Sequence, residues 1–332
     1  MFKIIKLIKT AYSILNNELK ISNTNIDPII SSKIIRKFNS SKVKKDFQLN
    51  KILTNVKIGN LKVKKNWFFN TETKEWNLVY ENSIFGEGVI RIFFPKNYKK
   101  TLIFFPGTLT SSDDVLTNTS NKFYLKEMCE KDKIALICWD WPLNGNRLKN
   151  GLIKNITRYT TLEREYEKIC SIFNSSLFIE YISELVFIFK MLSFKLKNNN
   201  INVCGWSMGG FFSYYAPFCG LKIKKVISAG SCALVEDLLY TGKFVSQGHF
   251  FFNNLNGYTA DLDQIINLNL KNKVEHYIVF GENDKNCLLK TSSKLQKMFS
   301  SVRYKKKFEI KIFPKIGHEF SLRIKDYIFS KV

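Results

Sequence analysis

The chain has 332 residues, 45% of them hydrophobic and 14% aromatic, and its 52 Lys+Arg against 28 Asp+Glu give a formal net charge of +24. That much apolar material excludes a disordered polycation, whose few apolar groups could not offset the entropy of ordering. The length suits one large α/β domain with insertions, or two ordinary domains.

Half of the excess charge lies in the first fifth of the chain, where residues 1–65 hold 15 Lys/Arg and only Glu18, Asp27 and Asp46 as acids. A positive surface field concentrates polyanions, so nucleic acid, anionic membrane and acidic substrates are the partner classes to weigh. Asn, Ile and Phe are abundant beside Lys in ordinary-looking strands as well, the bias an A/T-rich coding sequence produces without any selected partner. No nucleic-acid motif accompanies the charge, and a nucleic-acid partner is not expected.

At the N-terminus, MFKIIKLIKTAYSIL interleaves Lys3, Lys6 and Lys9 with Ile4, Ile5, Leu7 and Ile8, which breaks the uninterrupted apolar run an export signal needs. Three readings stand for this segment: a helix packed on the body, a basic amphipathic helix resting on a membrane surface through residues 1–20, or an organelle-targeting segment. The polar Lys/Asn stretch Ser22–Asn50 reads as a linker. Residues 1–65 are therefore expected to form a basic extension leading into the first strands, and residues 66–332 the main domain.

Next come short β-branched or aromatic runs, Val56–Val63, Trp67–Phe69, Trp76–Tyr80 and Gly88–Phe94, which read as antiparallel opening strands. From Thr101 the pattern becomes strand, loop, helix, strand. Apolar runs at Thr101–Phe105, Ile134–Trp139, Ile201–Gly205, Lys225–Ala229, Val274–Phe280 and Phe308–Phe313 are each separated by enough chain for a crossover helix. Runs without alternation suit parallel strands covered on both faces. The predicted fold is α/β, a doubly wound, mostly parallel sheet with antiparallel opening strands and a small cap insertion. Leu177–Phe194 is the longest apolar stretch, but Glu180, Glu184 and Lys190 make it too short and too charged to span a bilayer.

Seven cysteines without a CxxC pair suit a reducing compartment, where a buried thiol acts as a small hydrophobe. The three histidines, His249, His276 and His318, have no cysteine at metal spacing, so no metal site is expected.

In doubly wound sheets, ligands bind beyond the carboxyl ends of the strands. Beyond the third long run lies Gly205-Trp206-Ser207-Met208-Gly209-Gly210, followed by the helix-like FFSYYAPF. A Gly-x-Ser-x-Gly at a strand-to-helix junction holds serine in a strained turn, and Gly205 and Gly209 remove side chains that would clash. The helix start behind the serine offers N–H groups to developing negative charge. A serine nucleophile needs a base, itself oriented by an acid. After Val274–Phe280 comes Gly281-Glu282-Asn283-Asp284, and after Phe308–Phe313 comes Pro314-Lys315-Ile316-Gly317-His318. His318 is the candidate base and Asp284 the candidate acid, with Glu282 the alternative should the strand end two residues away. Asp140, after the second run, reads as a loop-orienting residue or a surface salt bridge. His276 precedes or opens a strand and has no acid partner at useful spacing, and His249 reads as structural, with a place lining the pocket as the alternative.

With Pro106–Thr108, the Trp139–Gly145 stretch WDWPLNG, GWSMGG, GEND and IGHEF in this order, the chain from about Gly88 to its C-terminus resembles the α/β-hydrolase-fold serine hydrolases, nearest their esterase and dienelactone-hydrolase-like branches. The resemblance implies Ser207 as nucleophile, His318 as general base and then acid, and Asp284 as the carboxylate that fixes the histidine tautomer. It implies the backbone N–H of Met208 as one oxyanion donor and that of Thr108 as the second, with Leu109 as the alternative. Pro106 stands where many members carry histidine. No cofactor is implied.

The expected activity is cleavage of a carboxylic ester or thioester through an acyl-enzyme, on a small-molecule or lipid substrate. The alternatives are an acyltransferase, a lipase or lysophospholipase, or a peptidase using the same residues, and a non-catalytic lipid- or anion-binding protein on this scaffold. Residues 147–176 and 231–273, the second rich in aromatics, are the candidate cap segments. The expected location is cytoplasmic, with membrane-peripheral or organellar placement as the alternative through the N-terminal segment.

Overall fold

The computed structural model describes residues 58–108, 110–117, 122–142, 144, 147, 166, 170, 176–196, 200–234, 262–285, 287–300 and 307–332. Most of the basic N-terminal segment and of the two candidate caps, together with Leu109 and His249, lies outside them.

The chain divides into two compact units. Of the first, made of residues 1–57, 153–183 and 238–260, the longest described piece is Ser176–Ser183. Here the Ser176 side chain accepts the Ile179 N–H at 3.2 Å, and Ser183 Oγ donates to the Ile179 carbonyl one turn back. The second unit, residues 58–152, 184–237 and 261–332, holds a nine-stranded sheet.

The strands are β1 (Leu61–Asn70), β2 (Glu75–Asn82), β3 (Gly86–Phe93), β4 (Lys100–Phe105), β5 (Ile134–Trp139), β6 (Ile201–Trp206), β7 (Ile223–Ala229), β8 (Glu275–Gly281) and β9 (Phe308–Phe313). Their order across the sheet is β1-β2-β3-β5-β4-β6-β7-β8-β9. The pairs β1/β2, β2/β3 and β3/β5 are antiparallel, and all pairs from β5/β4 to β8/β9 are parallel. This is the doubly wound, mostly parallel sheet with antiparallel opening strands that the sequence predicts.

The apolar runs explain the centre. Every residue of β5 and β6 is buried, as is β4 after Lys100, because both faces are covered. On one face Leu102 and Phe104 pack with Val115, Cys129, Ile324 and Ile328, residues of the helices α1 (Ser112–Leu116), α2 (Lys126–Lys131) and α7 (Leu322–Lys331). On the other, Phe105 meets Trp139, Trp141 and Phe189 at ring-centroid distances of 5.0, 5.3 and 6.4 Å, the last from helix α3 (Leu177–Ser193). The remaining helices are α4 (Met208–Ser213), α5 (Leu262–Lys271) and α6 (Leu289–Phe299). Among the described residues no helix is long and apolar enough to cross a membrane.

The opening of the sheet departs from the prediction. The runs Val56–Val63 and Trp67–Phe69 are not two strands: Ile58–Asn60 is a 3-10 turn, and Leu61–Asn70 is continuous. Lys62, Lys64 and Lys65 interrupt the apolar pattern, but β1 ends the sheet order and Lys62–Asn66 are exposed, so the lysines stand in solvent. Register shifts between Val63 and Lys65, and between Lys65 and Phe68, carry the pairing through.

Candidate active site

The candidate site gathers at the carboxyl ends of β4, β5, β6, β8 and β9. Ser207 stands between β6 and α4 with φ 54° and ψ −115°, a region a non-glycine residue occupies at a cost of about 1–3 kcal/mol. Its N–H donates to the Ala229 carbonyl at 2.7 Å, and its carbonyl accepts the Phe211 N–H at 3.1 Å. These bonds hold the strained turn from both sides.

The glycines have a measurable reason to be there. A Cβ on Gly205 would lie 2.1 Å from the Gly209 carbonyl oxygen, and one on Gly209 would lie 2.1 Å from the Phe105 carbonyl oxygen. Without those atoms the first turn of α4 closes onto the ends of β4 and β6. Met208 thus begins a helix directly after the serine, beside the loop that leaves β4.

His318 reaches this point from the loop after β9. Its Nε2 is 3.0 Å from Ser207 Oγ, and its Nδ1 is 2.8 and 3.0 Å from the two carboxylate oxygens of Asp284. An ionised carboxylate only accepts, so Nδ1 carries the proton and Nε2 is left to accept the serine O–H. Asp284 has a fully buried side chain, whereas the His318 side chain is 28% exposed, so the histidine is the most solvent-facing of the three residues, Ser207 being buried. The Asp284 N–H donates to the Gly281 carbonyl at 3.0 Å, fixing the turn after β8. Glu282, the alternative acid, is exposed, and its carboxylate accepts the Lys315 N–H at 3.4 Å.

Thr108 is half-buried in the loop after β4, and its hydroxyl lies 3.8 Å from the Met208 sulfur. Gly107 before it approaches so closely that a Cβ there would meet Trp206 at 2.7 Å and Ser207 Cβ at 3.4 Å. Asp140 is buried and accepts the Ser112 N–H at 2.6 Å, tying the start of α1 to the loop after β5 and supporting its loop-orienting reading. His276, fully buried on β8, belongs to the core rather than this cluster.

Two contacts escape sequence reasoning. The Trp206 ring stacks on the His318 ring, centroids 4.8 Å apart and planes 28° from parallel. Asn144, fully buried, donates from Nδ2 to the Gly107 carbonyl at 2.9 Å. In sequence, Trp206 is only the variable residue of the Gly-x-Ser-x-Gly turn and Asn144 looks like a turn former after Pro142; only the pairing across chain segments reveals their placement. Among the described residues no cluster of His, Cys, Asp and Glu could hold a metal ion.

No protein-family model matches the sequence, and no curated protein matches it at a significant level. Solved structures do. Acetyl xylan esterase 1 from Thermoanaerobacterium sp. JW/SL YS485 is 16% identical, with 87% of this chain and 96% of that one covered at a TM-score of 0.52. TT1662 from Thermus thermophilus is 13% identical, with 81% and 96% covered at 0.51. A longer protein from Bacteroides ovatus, provisionally named a dipeptidyl aminopeptidase IV, is 15% identical, and the chain covers 32% of its length at 0.44.

Proposed function

We propose, from the premise that the chain has the α/β-hydrolase fold, that it is a serine hydrolase cleaving a carboxylic ester or thioester through an acyl-enzyme on Ser207. The observation that carries this reading is the unbroken chain Ser207 Oγ, His318 Nε2, His318 Nδ1, Asp284, with links of 3.0 and 2.8 Å, assembled at a serine held in a strained turn.

His318 Nε2 accepts the hydroxyl proton as Ser207 Oγ attacks the substrate carbonyl carbon, and Asp284 stabilises the imidazolium that forms. The tetrahedral oxyanion accepts from the N–H groups of Met208 and Thr108, each such donor being worth about 10²–10³ in rate. His318 then returns the proton to the leaving alcohol or thiol as the C–O or C–S bond breaks. A water molecule, deprotonated by the same nitrogen, releases the acid and regenerates Ser207. That one of the solved structures sharing the fold is named an acetyl xylan esterase is compatible with this reading; the side-chain geometry is its support.

The test pairs a fluorophosphonate probe with p-nitrophenyl esters from acetate to palmitate. Wild type is expected to be labelled and to turn over at least part of the ester series. Ser207→Ala is expected to abolish labelling and to lower kcat by about 10⁴-fold or more. Labelling that persists in the alanine variant would overturn the assignment.

A further inference from the structure

We propose that Asn144 is a positioning residue that aims the Thr108 N–H at the substrate oxyanion by clamping the Gly107 carbonyl; this rests on the serine-hydrolase reading above. The Gly107 carbonyl accepts two hydrogen bonds, from Asn144 Nδ2 at 2.9 Å and from the Thr110 N–H at 3.1 Å. Both acceptor sites of that oxygen are taken, so the peptide plane between Gly107 and Thr108 cannot swing without breaking a buried bond.

The described chain has no cis peptide, and in a trans peptide the N–H points opposite to the C=O of the same plane. A carbonyl held towards Asn144 therefore turns the Thr108 N–H away from Asn144. Gly107 itself stands against Ser207, where even a Cβ would come within 3.4 Å of Ser207 Cβ. One orientation thus puts a peptide donor beside the reacting serine, and Asn144 selects it.

Asn144 is well anchored for the task. Its N–H donates to the Trp141 carbonyl at 3.0 Å, and its carbonyl accepts the Arg147 N–H at 3.1 Å. Arg147 is held in turn by a bidentate ion pair with Glu184, and its guanidinium donates to the Asp140 carbonyl at 3.2 Å. The clamp is therefore mounted on a buried polar frame, and no part of Asn144 needs to touch substrate. An oxyanion donor displaced by a fraction of an ångström loses most of its value, because its bond forms only in the transition state.

The test compares Asn144→Leu and Asn144→Asp, both near-isosteric and both without the donor, on a p-nitrophenyl ester and on the matching thionoester, whose sulfur accepts poorly from N–H groups. Loss of the clamp is expected to lower kcat for the ester about 10- to 100-fold with KM changed less than about 3-fold. The thionoester rate should fall much less, so the ester-to-thionoester ratio drops. A general loss of structure lowers both rates together. An unchanged ratio in a folded variant overturns the proposal.

A second measurement uses unmodified protein and needs no variant to fold. Displacement of fluoride by Ser207 Oγ leaves a phosphonyl adduct whose P–O oxygen mimics the oxyanion, and the Thr108 amide proton should move downfield on its formation. An unmoved resonance in a labelled protein overturns the proposal. Wild type that takes no label at all would instead overturn the serine-hydrolase reading.

Discussion

Single atoms decide the geometry of the candidate site. Gly209→Ala places a methyl carbon 2.1 Å from the Phe105 carbonyl oxygen, a backbone atom in the sheet centre that cannot rotate away. The variant is expected to lose about 3 kcal/mol or more of stability in urea unfolding; a loss below 1 kcal/mol would show that α4 moves freely against β4. Thr108→Val keeps the backbone N–H and removes only a hydroxyl whose observed partner is a thioether sulfur. Steady-state kinetics should show kcat within about 3-fold of wild type if only the N–H serves the oxyanion. A fall of 10-fold or more would assign the hydroxyl a direct share.

At the scale of elements, β8 carries an internal cost. His276 is fully buried with neither ring nitrogen hydrogen-bonded among the described residues, and it stacks on Tyr214 at 5.9 Å. Burial pushes its pKa from 6.5 down to about 3, so the folded state keeps the ring neutral while the unfolded chain binds a proton below pH 6.5. Its contribution is therefore intact above pH 6.5 and is lost as pH falls towards 3, by at most about 1.4 kcal/mol per pH unit. Urea midpoints for wild type and His276→Leu at pH 7.5 and 5 should show a smaller acid loss in the variant. Equal losses would place the acid sensitivity elsewhere.

The Arg147–Glu184 pair is the opposite case, a buried charge with its partners present. Burial alone disfavours the charged guanidinium, but Glu184 outweighs it and raises the Arg147 pKa. Tyr80 also donates to Glu184, at 2.7 Å. Arg147→Met leaves that carboxylate without its cation and is expected to cost about 3–5 kcal/mol, read as a lowered urea midpoint.

What the sequence reveals about these elements follows from their burial. β5 and β9 fall where their apolar runs predict, residue for residue. β5 is buried throughout, so its length equals the length of chain excluded from water, whereas β9 is the far edge of the sheet and only Phe308 and Phe313 are buried there. β1 is legible only in part, because an exposed edge strand carries lysines where a buried strand carries valines. The serine turn, the acid loop and the histidine loop announce themselves through residue types with few other uses. The Gly107–Asn144 clamp does not: an asparagine in a turn looks the same whether it holds its own turn or a peptide 37 residues away.

For the molecule as a whole, half of the +24 charge belongs to residues 1–65. A membrane role for the first 20 residues makes a clear demand. Binding to vesicles containing anionic lipid should fall on deletion of residues 1–20 and on raising salt, since the Debye length shrinks to about 3 Å at 1 M. Co-sedimentation that ignores both changes would rule out electrostatic anchoring.

All seven cysteines are buried thiols outside any disulfide, and their positions sample α2, β5, β6 and the loops after β7 and β8. A thiol reagent therefore cannot react until the surrounding chain opens, and each sulfur then records the opening of its own neighbourhood. Pulse labelling followed by peptide mass analysis would turn this set into a map of local unfolding times, with no foreign reporter introduced.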